Sequence, residues 1–204
     1  MKTFTSITVF ILLFMVSCSK TKSSKEANQT MPATASKNEE IRVIEKQIEP
    51  DTLKGSLKAK ASGDIGDVSI TIDYHSPAVR GRVIWGGLVP YDNVWVTGAH
   101  KATSIEFSRD VKIGGVTIPA GKYALFSIPG KEEWTIIINK NWDQHLADNY
   151  DRKDDVARIK VKPEIERDNQ ERLRYMIESE NATEGEVVIY WEMLEISLPV
   201  STKL

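Results

Sequence analysis

From about residue 55 to the C terminus, the apolar side chains fall on every second position. Val68, Ile70, Ile72 and Tyr74 alternate with Ser69, Thr71 and Asp73, a pattern that buries one face of an extended strand and leaves the other wet. Ser104-Ile105-Glu106-Phe107 alternates in the same way. Residues 112–118 carry Gly114-Gly115 at their centre, and paired glycines accept the positive φ angles of a tight hairpin turn. Residues 123–128 and 134–138 are rich in β-branched and aromatic side chains and are separated by Pro129-Gly130, which predicts a second hairpin. A short strand near residues 56–61, with a loop at 63–66 leading into the next, and another strand at 156–161 extend the series. A final strand over 186–198 sets Val187, Ile189, Trp191 and Met193 on one face. Residues 141–154 are polar and predict an ordered loop or a short helix. Residues 165–178 are rich in Glu, Arg and Gln, good helix formers, and predict a helical or irregular start with a strand from Arg172. Many short strands punctuated by Gly and Pro, with no long alternating helices, predict a single all-β domain. Its expected form is an antiparallel β-sandwich or jelly roll, with a closed barrel as the alternative.

The N-terminal end obeys a different rule. Lys2 precedes an apolar run over residues 7–16, and Ser17-Cys18 follows it. This is the layout of a secretory signal peptide, and its ending resembles a bacterial lipobox. The run is shorter than the ~20 residues that a membrane-spanning helix needs. The expectation is a signal peptide over 1–17, lipidation of Cys18, a disordered tether to residue 40 that is poor in large apolar side chains, and a folded domain over 41–204. Cys18 is the only cysteine. Its acylation leaves no thiol for disulfides, thiolate metal ligands or a cysteine nucleophile. The partner implied is a lipid bilayer, and the location a bacterial cell envelope, at the outer membrane and facing the periplasm. The formal charge is −2 with both signs interspersed; no basic stripe tracks phosphates, which argues against nucleic acid.

Several ordered motifs stand out within the folded part. Ser76-Pro77-Ala78-Val79-Arg80-Gly81-Arg82 is followed by Trp85-Gly86-Gly87-Leu88-Val89-Pro90-Tyr91 and then by Val94-Trp95-Val96-Thr97-Gly98-Ala99-His100-Lys101-Ala102-Thr103. Further along come Pro119-Ala120-Gly121-Lys122-Tyr123-Ala124-Leu125-Phe126, Trp134-Thr135 and Trp191-Glu192. Together these resemble the bacterial family designated domain of unknown function 2911, over roughly residues 56–200. The resemblance implies a Bacteroidota-type envelope lipoprotein and carries no catalytic residue, because the family has no assigned activity. The chain departs from the usual pattern at Val96 and His100.

Three groups of residues carry candidate chemistry. Arg80, Arg82, Trp85, Tyr91, Trp95, His100 and Lys101 lie in one glycine-rich stretch; Arg and Lys clamp small anions, whereas Trp85 and Trp95 serve equally well as core anchors. Trp142, amid Asp143, Gln144, His145, Asp148 and Asn149, is the ring best placed to stack on a sugar, or else a plug over the end of the sandwich. His75, His100 and His145 are the only histidines and show no tight metal-ligand spacing, so no metal or other cofactor is expected. The leading expectation is a non-catalytic binding or interaction module for a small anionic or carbohydrate ligand or for an envelope protein. The alternative is a hydrolase using Asp143, His145 or Glu192, although no Gly-x-Ser-x-Gly elbow is present. Asp51-Thr52-Leu53 resembles a motif that Bacteroidota glycosylate, which makes Thr52 a candidate modification site.

Overall fold

A computed structural model describes residues 40–204. The signal peptide, Cys18 and most of the tether expected from the sequence lie outside the described residues. Among the described residues, ten strands form two antiparallel sheets. They are β1 (Leu57–Ile65), β2 (Val68–Ser76), β3 (Ser104–Phe107), β4 (Val111–Ile113), β5 (Val116–Ile118), β6 (Gly121–Ile128), β7 (Trp134–Asn139), β8 (Asp155–Val161), β9 (Glu164–Ser179) and β10 (Glu184–Ser201). The larger sheet runs β1-β2-β3-β6-β7-β8 and the smaller β5-β4-β10-β9. All-β character and a sandwich-like pair of sheets match the alternation in the sequence. Among the described residues no helix is long and apolar enough to cross a membrane.

The core is built from the inward half of each alternating strand. Ile70, Ile72 and Tyr74 of β2, Ile105 and Phe107 of β3, and Ile136 and Ile138 of β7 meet Leu173, Tyr175, Val187, Ile189 and Leu198 from the smaller sheet. Sheets covered on one face only need polar outward positions, and β1 and β2 supply them. On the larger sheet's other face, Ala124, Phe126 and Ile137 are buried under Val96, Ala102 and Tyr150 from the long connections.

Three local expectations are corrected. The strand near residue 56 continues to Ile65 and pairs with β2 through a turn at Gly66-Asp67, so no loop spans 63–66. An alanine at Gly66 would place Cβ 2.2 Å from the carbonyl oxygen of Ala182 at a φ of +59°, which is why the turn carries glycine. Residues 164–179 are one strand throughout, not a helical start followed by a strand from Arg172. Their backbone pairs with β10, Gly185 opposite Ser179 and Glu195 opposite Glu164, and tertiary pairing outweighs helix propensity. Met193 leaves the face it was expected to share with Val187, Ile189 and Trp191. The β9–β10 register shifts on both sides of Glu192, and a bulge transposes the side chains that follow it. Residues 141–154 are a loop with a short 3-10 turn at Arg152–Asp154.

Residues 40–55 form a strap that joins the two sheets. Arg42 pairs in parallel with Ala59 on the free edge of β1, and Ile44 is buried in the core. Further along, Glu171 donates its backbone N–H to Gln47 at 2.6 Å, and Lys46 pairs with Asp168 at 2.6 Å. Asp51 then meets Arg172 of β9, whose side chain is only 1% exposed. The same edge of β9 bonds the segment after β2: Leu173 N donates to Pro77 O, and Val79 N to Glu171 O.

Candidate functional site

The outward face of the larger sheet collects charge. Lys58 and Lys60 alternate with buried Ala59 and Ala61 on β1, and Asp73 and His75 alternate with buried Ile72 and Tyr74 on β2. The antiparallel register sets Lys58 opposite His75 and Lys60 opposite Asp73. Lys122 of β6 reaches Asp73 across β3, so this one carboxylate is flanked by two ammonium groups, Lys60 at 3.4 Å and Lys122 at 3.3 Å.

Two loops wall this surface into a groove. Ala102 N donates to Gln144 O, and Leu146 N donates to His100 O at 2.6 Å. These bonds clamp the loop carrying Lys101 to the loop carrying Trp142 and Asp143. Lys101 and Asp143 are 3.5 Å apart and largely exposed, a geometry that contributes little stability. The Trp142 ring is 39% exposed and holds the Lys122 ammonium over its face, 4.7 Å from the centroid. The groove encloses about 330 Å³, with Ile41 of the strap among its lining residues. Four lysines, Lys58, Lys60, Lys101 and Lys122, face two carboxylates, Asp73 and Asp143. The ammonium of Lys58 has no ion-pair partner among the described residues.

The stretch singled out by sequence is divided among different places. Lys101 lines this groove, and His100 sits against His75 with ring centroids 5.2 Å apart in an edge-to-face arrangement. Trp85 and Trp95 join Trp134 and Trp191 in one aromatic cluster, with Trp95 stacked on Trp191 at 5.8 Å and 19°. Trp95 donates to Gly98 O and Trp191 to Glu171 O. The indole N–H groups of Trp85 and Trp134 are buried without an acceptor. Arg82 donates to the carbonyls of Val79 (3.1 Å) and Ala78 (2.5 Å). Arg80, at a φ of +50°, donates its backbone N–H to the Glu171 carboxylate at 2.9 Å and its guanidinium to Leu53 O. Both arginines therefore hold loop backbone. Tyr91 lines a separate cavity together with Trp85 and Glu192.

The residues named for hydrolysis are likewise dispersed. His145 Nδ1 lies 2.8 Å from Asp148 Oδ2 on the surface, Asp143 faces the groove, and Glu192 belongs to the other cavity. Among the described residues no group of three His, Cys, Asp or Glu side chains is placed to hold a metal ion. Thr52 is exposed between two anchored neighbours. Asp51 binds Arg172, and Leu53 donates its N–H to Asp51 Oδ1 and offers its carbonyl to Arg172. The Arg172 guanidinium beside Asp51 holds that carboxyl well below its ordinary range, at about 2.

Sequence reasoning missed Lys58, Lys60 and Lys122. For Lys58 and Lys60 the signal is the polar half of an alternating strand; Lys122 stands at the start of a strand whose later residues are buried on both faces and has no such signal. What a lone sequence does not give is the strand order, which lays β1, β2, β3 and β6 side by side.

The fold and groove define an all-β, sandwich-like domain with a cationic cleft on the outer face of its larger sheet. The model of the family described as a protein of unknown function, DUF2911, matches residues 56–200, and the chain belongs to that family. No curated protein and no solved structure matches the chain.

Proposed function

We propose that this domain is a non-catalytic binding module for a small anionic ligand, with the lysine groove as its site. The observation that carries this reading is the convergence of Lys58, Lys60, Lys101 and Lys122 on a cleft containing two carboxylates. Ammonium groups on flexible stems receive carboxylate, sulfate or phosphate as point charges. The exposed Trp142 face beside Lys122 adds an apolar platform, so an acidic sugar uses both features of the groove: its ring on the indole and its anionic substituent on the lysines.

The experiment is a calorimetric titration with glucuronate, using glucose as the neutral control. Saturable binding of glucuronate that weakens with added salt, and weakens again in Lys58→Ala and Trp142→Ala, supports the assignment. Equal binding of glucose, or no heat with either, sinks it.

The proposal extends to the location. The signal-peptide layout and Cys18 support a lipoprotein of the cell envelope, tethered by an acylated N-terminal cysteine and facing the periplasm. An intact mass lacking a diacylglycerol adduct on Cys18 refutes the anchor and leaves the groove reading untouched.

A further inference from the structure

A backbone irregularity lies in the middle of the longest strand. Glu192 has a φ of +58°, and the pairing of β10 with β9 shifts register on both sides of it. A non-glycine residue in this left-handed region is costly, and inside a strand it is a bulge that re-aims a side chain. Here the residue at the bulge lines a cavity of about 320 Å³ at the edge of the tryptophan cluster.

The chemistry of that cavity has two ends. Glu192 supplies a carboxylate and Lys131 an ammonium group, and both line the same cleft. Neither forms an ion pair with the other or with any other described residue. Lys131 lies over the Tyr91 ring, 6.0 Å from its centroid. Between and around the charges are the aromatic rings of Trp85 and Tyr91 and the apolar side chains of Ile165, Met193 and Leu194. Ile165 is 80% exposed and Met193 is also open to solvent, so the apolar lip of the cleft has no cover from the rest of the domain.

From these observations we infer that the cavity at Glu192 is a second binding site, for a small zwitterion with an apolar side chain: an α-amino acid or a short peptide with free termini. The ligand's ammonium group meets Glu192 and its carboxylate meets Lys131. Its side chain covers the lip formed by Ile165 and Met193. Opposite charges held apart in one cleft are satisfied together by a molecule that carries both, whereas an anion alone leaves Glu192 unanswered and a cation alone leaves Lys131 unanswered. The size fits the lower end of small-molecule sites. The bulge at Glu192 then has a purpose, since strain kept within a strand marks a side chain that must point in one direction. This site is independent of the lysine groove and of the reading built on it.

The test titrates the full chain with L-leucine and with the dipeptide Leu-Leu, following tryptophan fluorescence and calorimetric heat. At least one of them is expected to bind saturably. N-acetylation of that ligand or amidation of its carboxylate is expected to weaken binding at least tenfold, which tests both charges without altering the protein. Glu192→Gln is expected to produce the same loss. Glu192→Gly suits the positive φ, so it is expected to remove binding while raising Tm, which separates a failed site from a failed fold. Lys58→Ala is expected to leave this binding unchanged. Absence of saturable binding by either ligand, or equal binding of the N-acetylated form, overturns the inference.

Discussion

Arg172 and Asp51 stand 121 residues apart in the chain and are joined by two hydrogen bonds, of 2.5 and 2.8 Å. The remaining donors of the guanidinium go to the carbonyls of Leu53, Gly55 and Ser76. All five N–H groups of a buried arginine are thereby satisfied, and three of the four partners belong to the strap. The strap lies upstream of the 56–200 family match, yet it completes the hydrogen bonding of a residue inside it. Removing one partner of a buried charge pair leaves the other uncompensated. Asp51→Ala is therefore expected to lower unfolding free energy by about 3 kcal/mol, the low end for such pairs because Asp51 keeps some solvent contact. Urea denaturation checks this, and a loss below about 0.5 kcal/mol, the level of an ordinary surface substitution, contradicts the role given to the clasp.

The same pair sets an acid limit. The folded carboxyl of Asp51 titrates near 2, below its ordinary value of 3.8, chiefly through the hydrogen bonds from Arg172. A depressed carboxylate contributes stability that is present above the unfolded pKa and is lost as pH falls through the folded one. Stability is expected to fall between about pH 4 and pH 2, with roughly 1–2 kcal/mol of the loss traceable to this group. Melting curves of the wild type and Asp51→Asn across that range are expected to converge at the acid end. Parallel curves would rule the linkage out.

The two roles of tryptophan predict opposite outcomes for one kind of substitution. Trp191 is buried in the aromatic cluster, and Trp191→Ala is expected to cost about 3–5 kcal/mol. Trp142 is exposed beside Lys122, and Trp142→Ala is expected to stay within about 0.5 kcal/mol of wild type while reducing any binding in the groove. Thermal melts of the two variants decide the matter, and a large loss for Trp142→Ala would make that ring a structural plug.

Arg82 and Lys101 separate in the same way. Arg82 donates to two loop carbonyls, so Arg82→Ala is expected to cost about 1–2 kcal/mol. Lys101 makes only an exposed ion pair, at 3.5 Å from Asp143, so Lys101→Ala is expected to leave stability unchanged within about 0.5 kcal/mol. Equal Tm values for the two variants would remove the distinction.

The outward and inward halves of the alternating strands were legible in the chain, as was the hairpin at Gly114-Gly115, because period-two burial and turn chemistry are local properties. The strand from Arg172 was legible too, but the first half of β9 was not, because Glu164 to Gln170 are mostly polar helix formers that extend through pairing with β10. Its buried polar members, Gln170, Glu171 and Arg172, find partners far away along the chain. Asp51 begins the tripeptide that makes Thr52 a candidate modification site, whereas its bond to Arg172 depends on tertiary structure. The groove lay between these cases. Lys58 and Lys60 stand at outward positions of an alternating strand, but the convergence of the four lysines follows from strand order and from the loop clamp at His100 and Leu146.

The strap also determines how the domain answers a mechanical load. A pull on the chain upstream of residue 40 meets Arg42 on β1 first, then the bonds of Gln47 to β9, and last the Asp51–Arg172 pair. The pairing with β1 is one parallel bridge of two backbone hydrogen bonds, Arg42 N to Lys58 O and Lys60 N to Arg42 O. Tension therefore reaches both sheets through the strap before it reaches the covalent start of β1 at Leu57.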